Sequence, residues 1–231
     1  CTRIDRSAIW SIWPVFYREA IAFEHYRILR DDPKAVILGV GVNDGAKYVF
    51  GTTGLAAEKF TGRVVETPLS ETMLTGALIG MANNGWHPTF VHARADFLYL
   101  SAEHLLNTAA TYRFIHGIGC PITVRAIIGE GWGNGPMHTK APLEMFNVEG
   151  IDLFTPQSIF GIRRAMNNAV ATGNPTVILE RRRYYEQEAL EGDEGEPRVD
   201  WTIPRGPAPA SAPLERAYYE GGAVAPAGGP F

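Results

Sequence analysis

The stretch Arg63-Val-Val-Glu-Thr-Pro-Leu-Ser-Glu-Thr-Met-Leu-Thr-Gly-Ala77 reads as a short buried strand, a turn and the start of a helix. Arg63, Val64 and Val65 are strand-like. Thr67 is placed to cap a helix and Pro68 suits its first position. Glu71 falls in or just before the first helical turn, and a helix of small and apolar residues runs from there to about Asn83. A carboxylate at the C-terminal end of a parallel strand, beside a helix N-terminus, sits where open α/β sheets place ligands. A first-turn acid also complements the helix dipole, and spacing alone does not choose between the two roles.

The same alternation extends in both directions. Upstream, residues 15–31 carry Phe16, Ala20, Phe23 and Ile28 near the helical period, and Asp32-Pro33 ends the run. Residues 35–42, Ala-Val-Ile-Leu-Gly-Val-Gly-Val, are apolar on both faces, as a buried parallel strand requires. Residues 55–60 form a short helix. Downstream, Gly85 stops the helix begun at Glu71, whose Gly76, Ala77 and Gly80 leave a smooth face for a neighbour. A strand over 89–93, a helix over 97–116 and a strand over 121–128 follow. A glycine-rich loop, residues 129–138, then precedes a strand at 151–154, a helix at 157–171 and a strand at 175–180. This order predicts an α/β fold: a doubly wound, mainly parallel sheet with helices on both faces. Residues 1–14 read as an N-terminal arm, 15–185 as the domain, and 186–231 as an acidic, then Pro/Ala/Gly-rich tail or linker.

Composition narrows the partners. The 231 residues carry 21 Lys+Arg against 25 Asp+Glu, so there is no large basic field for nucleic acid. Cys1 and Cys120 give neither a disulfide framework nor a CxxC pair. No apolar run is long enough to span a membrane and no signal peptide is visible, which makes the cytoplasm the expected location. Phosphate-loop signatures fail: GxGxxG would need glycine at Asp44, and GxxxxGK[ST] is absent. The histidines show no HExxH spacing and no GxSxG elbow occurs, so no metal ligand is expected in this chain. The chemistry-bearing residues left are Glu71, the stretch His92-Ala-Arg-Ala-Asp96, and His138 in the glycine-rich loop. Alternation puts His92 and Arg94 on one side of the third strand's end.

The ordered series Phe50-Gly-Thr-Thr-Gly-Leu-Ala-Ala-Glu-Lys-Phe60, Arg63-Val-Val-Glu-Thr-Pro-Leu-Ser-Glu71, Ala95-Asp-Phe97, Asn107-Thr-Ala-Ala110, His138 and Thr155-Pro156 resembles a known family. It is similar to the β subunit of the E1 component of thiamine-diphosphate-dependent 2-oxoacid dehydrogenases, related to transketolase. The resemblance covers roughly residues 17–180, the pyrimidine-binding domain. It implies that Glu71 hydrogen-bonds N1′ of the aminopyrimidine, favouring the imino tautomer whose 4′-nitrogen acts as base. It implies that Phe97 packs on the pyrimidine and that the Leu69 backbone approaches its amino group. His138 would face the reactive carbon and serve transfer to a lipoyl or carrier-protein acceptor.

Further expectations follow from the resemblance. The diphosphate and Mg²⁺ belong to a domain with a GDG signature, and no GDG occurs here, so an α-type partner chain is implied, in an α₂β₂ assembly. The family's positions at His92 and Arg94 are usually apolar or aromatic. A cationic pair there would favour an anionic or hydroxylated donor, such as a ketose phosphate. Family members carry a second α/β domain where this sequence has residues 186–231; a fragment, a separate polypeptide and a trimmed variant all fit. The alternative readings are a transketolase half-subunit transferring to an aldehyde, or an assembly subunit with a degenerate site.

Overall fold

The computed structural model describes residues 16–45, 47–130 and 135–188. The expected arm, residues 1–14, and the tail beyond Glu188 lie outside these. Helix α1 (Tyr17–Asp31) leads into β1 (Ala35–Gly39), α2 (Gly54–Lys59), β2 (Val64–Glu66), α3 (Glu71–Asn83) and β3 (His87–His92). Then come α4 (Leu98–Glu103), α5 (Tyr112–His116), β4 (Thr123–Ile128), α6 (Leu143–Phe146), β5 (Asp152–Phe154), α7 (Ile159–Thr172) and β6 (Thr176–Arg181).

The six strands form one sheet in the order β2-β1-β3-β4-β6-β5, and every pairing is parallel. Alternation sorts the side chains into two cores. Leu38, Phe90, Val124, Ala126, Val177 and Leu179 face α3 and α4, whereas Ile37, Val91, Ile127 and Ile178 face α1, α2 and α7. This is the doubly wound α/β sheet that the strand–helix alternation predicts. Strand order reverses between β1 and β3, which makes the C-terminal edge there the topological switch point. Gly39 closes β1 at that point: a Cβ on it would lie 2.6 Å from the Val91 carbonyl oxygen of β3. No helix among the described residues is long and apolar enough to cross a membrane.

Two elements depart from expectation. The first strand stops at Gly39 rather than at residue 42, because the Glu66 carboxylate takes the backbone N–H groups of Gly41 (2.5 Å) and Asn43 (3.0 Å) and turns the chain. The helix expected over 97–116 is interrupted. Residues 104–109 widen to a π turn in which Ala110 N–H reaches Leu105 O at 2.9 Å. Gly150 packs against that turn so closely that a Cβ would lie 2.0 Å from the Ala110 carbonyl oxygen. At the other end, Glu186 and Glu188 are not a free acidic run. Glu186 pairs with Arg18, Tyr17 N–H bonds Gln187 O at 2.9 Å, and Phe16 and Glu188 form an antiparallel bridge.

Candidate active site at the switch point

Glu71 is the first residue of α3. The helix does not start at Thr67-Pro68, because the Thr67 N–H is committed to Gly39 O at 3.1 Å and the chain is still leaving the sheet there. Ser70 precedes the helix without a side-chain cap. Residues 67–70 therefore cross the sheet edge from β2 and deliver Glu71, half-buried, to the C-terminal side. Two hydroxyls tie this helix start to α4. Thr72 Oγ1 donates to Leu100 O at 2.8 Å, and Thr75 Oγ1 lies 2.7 Å from Ser101 Oγ.

Phe97 immediately precedes α4, the helix that these two hydroxyls join to the start of α3. A tight turn, Ala95–Phe97, carries it off β3. The turn Pro136–Thr139, at the end of the glycine-rich loop after β4, packs on it. The Phe97 and His138 rings meet edge-on with centroids 5.9 Å apart. His138 Nδ1 lies 3.0 Å from Asp96 Oδ2. Loops after β2, β3 and β4 thus converge on one edge of the sheet.

His92 and Arg94 do not form the expected pair. His92 is the last residue of β3, while Arg94 lies beyond the strand, where alternation no longer applies. His92 is 2 % exposed and its ring meets that of Phe90 at a tilt, with centroids 4.4 Å apart; its Nε2 lies 3.3 Å from Ser101 Oγ. Burial lowers its pKa to about 3, so it is a neutral core group and not half of a cationic site. The argument for an anionic donor goes with it.

Sequence reasoning named Asp96 only within the stretches His92–Asp96 and Ala95–Phe97 and gave it no role at the site. A histidine that works at a fixed orientation needs a partner on its other ring nitrogen, and the acid beside Phe97 was the available signal. Leu69 is 74 % exposed and Met137 60 %; Met73, Tyr99 and Leu100 are exposed as well. These apolar groups stand on the same segments as Glu71, Phe97 and His138.

The polar groups of the site have spare capacity. Thr67 Oγ1 and Asp96 Oδ1 are buried without a hydrogen-bond partner. The Glu71 carboxylate takes no hydrogen bond or ion pair among the described residues, although its backbone carbonyl accepts from Thr75 Oγ1 at 2.7 Å. Unmet acceptors beside an aromatic ring suit a flat heterocycle that offers N–H donors, and an aminopyrimidine is one. Among the described residues no group of three His, Cys, Asp or Glu side chains is arranged to hold a metal ion.

An all-parallel α/β domain with unmet polar groups at its switch point is, as a class, a ligand-binding domain. Residues 14–187 match the family described as transketolase, pyrimidine binding domain, and the chain belongs to that family. It is 29% identical over 190 residues to the acetoin:2,6-dichlorophenolindophenol oxidoreductase subunit beta of Cupriavidus necator, covering 77% of this chain and 54% of that one. It is 28% identical over 178 residues to the 2-oxoisovalerate dehydrogenase subunit beta of Pseudomonas aeruginosa, covering 76% and 51%. The chain spans about half the length of these relatives. A likeness of fold links it to a structure described as a split gene transketolase, inactive beta4 tetramer. Its TM-score is 0.51 at 18% identity, over 80% of this chain and 55% of that one.

Proposed function

We propose that this chain is the β-type, pyrimidine-holding subunit of a two-chain thiamine-diphosphate enzyme. The enzyme cleaves a 2-oxo acid and passes the resulting acyl or two-carbon unit to a lipoyl or carrier-protein acceptor. The observation that carries the reading is the meeting of Phe97 and His138, delivered by separate loops beside the helix that Glu71 begins. Family membership and the names of the relatives supply the class of reaction.

Thiamine diphosphate, when bound, supplies a thiazolium carbon that adds to a carbonyl and accepts the electrons released when the neighbouring bond breaks. The chain's own residues prepare that chemistry. Glu71 would share a proton with the pyrimidine N1′, its carboxylate having no hydrogen-bond or ion-pair partner among the described residues. Phe97 packs on the ring, where an offset contact contributes roughly 0.5–1.5 kcal/mol beyond burial. The Leu69 backbone approaches the exocyclic nitrogen. His138 orients the acceptor and moves its proton during transfer.

Diphosphate and Mg²⁺ fall to an α-type chain, since no GDG occurs in this sequence. Such a chain would cover the exposed Leu69, Met73, Leu100 and Met137, and twofold pairing would give α₂β₂ in the cytoplasm. The domain boundaries at 15 and 185 belong to this reading, with 1–14 as an arm and the region from 186 as a tail.

The test is thiamine-diphosphate binding in the presence of Mg²⁺, measured for this chain, for the α-type chain, and for the two together. Tight binding is expected only for the pair. Tight binding of the whole coenzyme by this chain alone, or no binding by the pair, overturns the proposal.

A further inference from the structure

We propose that Asp96 is a positioning residue: its carboxylate fixes the His138 ring as the Nδ1–H tautomer and leaves Nε2 as the nitrogen that meets the acceptor. The placing of the acceptor at Nε2 rests on the reading of the site given above. The tautomer itself does not.

Three observations carry the inference. The first is the bond: His138 Nδ1 lies 3.0 Å from Asp96 Oδ2. A carboxylate accepts and does not donate, so the ring nitrogen facing it carries the hydrogen. In a neutral imidazole the other nitrogen is then a bare acceptor. The second is environment. The Asp96 side chain is 8 % exposed and that of His138 is 23 %. Water competes weakly for the contact, and a hydrogen bond in such surroundings is stronger than one at the surface.

The third is anchorage. Asp96 stands in a turn between two fully packed residues, Ala95 at 1 % exposure and Leu98 at 0 %, and the turn is closed by Phe97 N–H to Arg94 O at 3.3 Å. His138 stands in a short turn with no buried residue of its own. The rigid partner is Asp96, and it sets where the imidazole points. The edge of Phe97 restricts rotation of the same ring.

Asp96 Oδ1 strengthens the case. It is buried and has no hydrogen-bond partner. A carboxylate placed for stability would have both oxygens satisfied, since an unmatched buried acceptor is costly. Among the described residues this one bonds His138 through Oδ2 and leaves Oδ1 unmatched. A purely structural acid, holding the turn before α4, would alter stability on removal and leave the tautomer unchanged.

The experiment uses the full chain labelled with ¹⁵N-histidine, with His138→Gln to assign the ring signals. Spectra are taken at a pH where the ring is neutral. In the unmutated chain Nδ1 of His138 should show the shift of a protonated ring nitrogen. In Asp96→Ala the Nε2–H form, which free imidazole side chains prefer, should become the major one. In the complete two-chain enzyme the same substitution should slow acyl transfer on the order of 10–100-fold while donor cleavage falls less. An Nε2–H ring in the unmutated chain overturns the proposal, and does so even if Asp96→Ala fails to fold. An unchanged tautomer in folded Asp96→Ala overturns it too. The tautomer needs neither coenzyme nor partner. It therefore stands or falls separately from the thiamine-diphosphate reading, which the binding test decides.

Discussion

The α1/α7 face of the sheet and its C-terminal edge treat polar groups in opposite ways. On the α1/α7 side, Arg125 of β4 is wholly buried, and each of its partners is in place. Its Nε and Nη2 donate to the two oxygens of Glu180 at 2.5 and 2.7 Å, and its Nη1 lies 3.0 Å from His25 Nε2. His25 Nδ1 lies 3.0 Å from Thr52 O, and Tyr185 donates to Glu180 at 2.5 Å. Burial works against the Arg125 charge, yet Glu180 beside it holds the guanidinium proton more firmly than usual. Burial, and then the Arg125 charge, push the His25 pKa well down, so that ring is neutral. On the C-terminal edge, by contrast, Thr67 Oγ1 and Asp96 Oδ1 are buried and unmatched. A closed network of this kind has nothing left to offer a ligand. An open one pays a stability cost that only binding can recover.

The largest effect should come from the open side. Glu71→Gln in the complete enzyme should lower turnover on the order of 10²–10⁴ while leaving the melting temperature nearly unchanged, since the carboxylate has no partner to lose among the described residues. Steady-state assay beside thermal denaturation checks both halves. Near-normal turnover would remove Glu71 from the site.

The closed side should respond the other way. Arg125→Met leaves Glu180 buried without its cation, and breaking a buried pair costs about 3–5 kcal/mol. Denaturant unfolding of the chain reads this directly. Any fraction that folds should retain its coenzyme affinity when paired, and a selective loss of binding would collapse the distinction between face and edge.

His138→Ala probes the open side more finely. Donor cleavage should survive while transfer to the acceptor drops on the order of 10²-fold, a split that single-turnover measurements resolve. Equal loss of both steps would mean that the loop histidine acts before transfer.

Much of this contrast was hidden from the sequence, and the reasons differ by element. The sheet was legible because Ala35–Gly39 and the Val177-Ile-Leu179 stretch of β6 are apolar on both faces, and glycine and proline punctuate the turns. The π turn at 104–109 was not, because nothing in its local sequence marks it and the residue it packs against, Gly150, lies far along the chain. Arg125 lay inside the strand expected over 121–128, and its charge was not singled out. A charge at that position demands a buried counter-ion, and Glu180 on the neighbouring strand was the candidate. Glu71 and His138 were candidates from their own positions, but only the resemblance joined them to Phe97, since no spacing rule links residues on three separate loops. His92 misled because a strand end looks exposed in sequence, whereas α4 covers it here.

That covered histidine gives a pH test. Its folded pKa is about 3 against an ordinary 6.5. Above pH 6.5 neither state holds the proton. Below it the unfolded chain takes one up and the native chain does not, so stability falls as pH falls, by up to about 1.4 kcal/mol per pH unit. Between pH 6.5 and 5, His92→Phe should flatten the dependence of unfolding free energy on pH by that much. Part of the slope should persist, because His25 is also held neutral. An unchanged slope would mean that His92 is solvated in solution and open to the substrate-side role first expected of it.

The smallest effect separates face from edge most sharply. Thr67 Oγ1 is buried with no partner, so its hydroxyl costs desolvation and returns nothing in the free chain. Thr67→Val keeps the branched shape and removes the cost. Its unfolding free energy should stay within about 0.5 kcal/mol of the parent or rise slightly, where the same operation on any member of the Arg125 network would destabilise. If the hydroxyl is instead reserved for the coenzyme's pyrimidine, the variant should bind thiamine diphosphate severalfold more weakly in the assembled enzyme despite its undiminished stability. A clear loss of stability would show that Thr67 Oγ1 finds a partner in the free protein. The edge would then be as closed as the α1/α7 face, and the open acceptors would no longer distinguish the site.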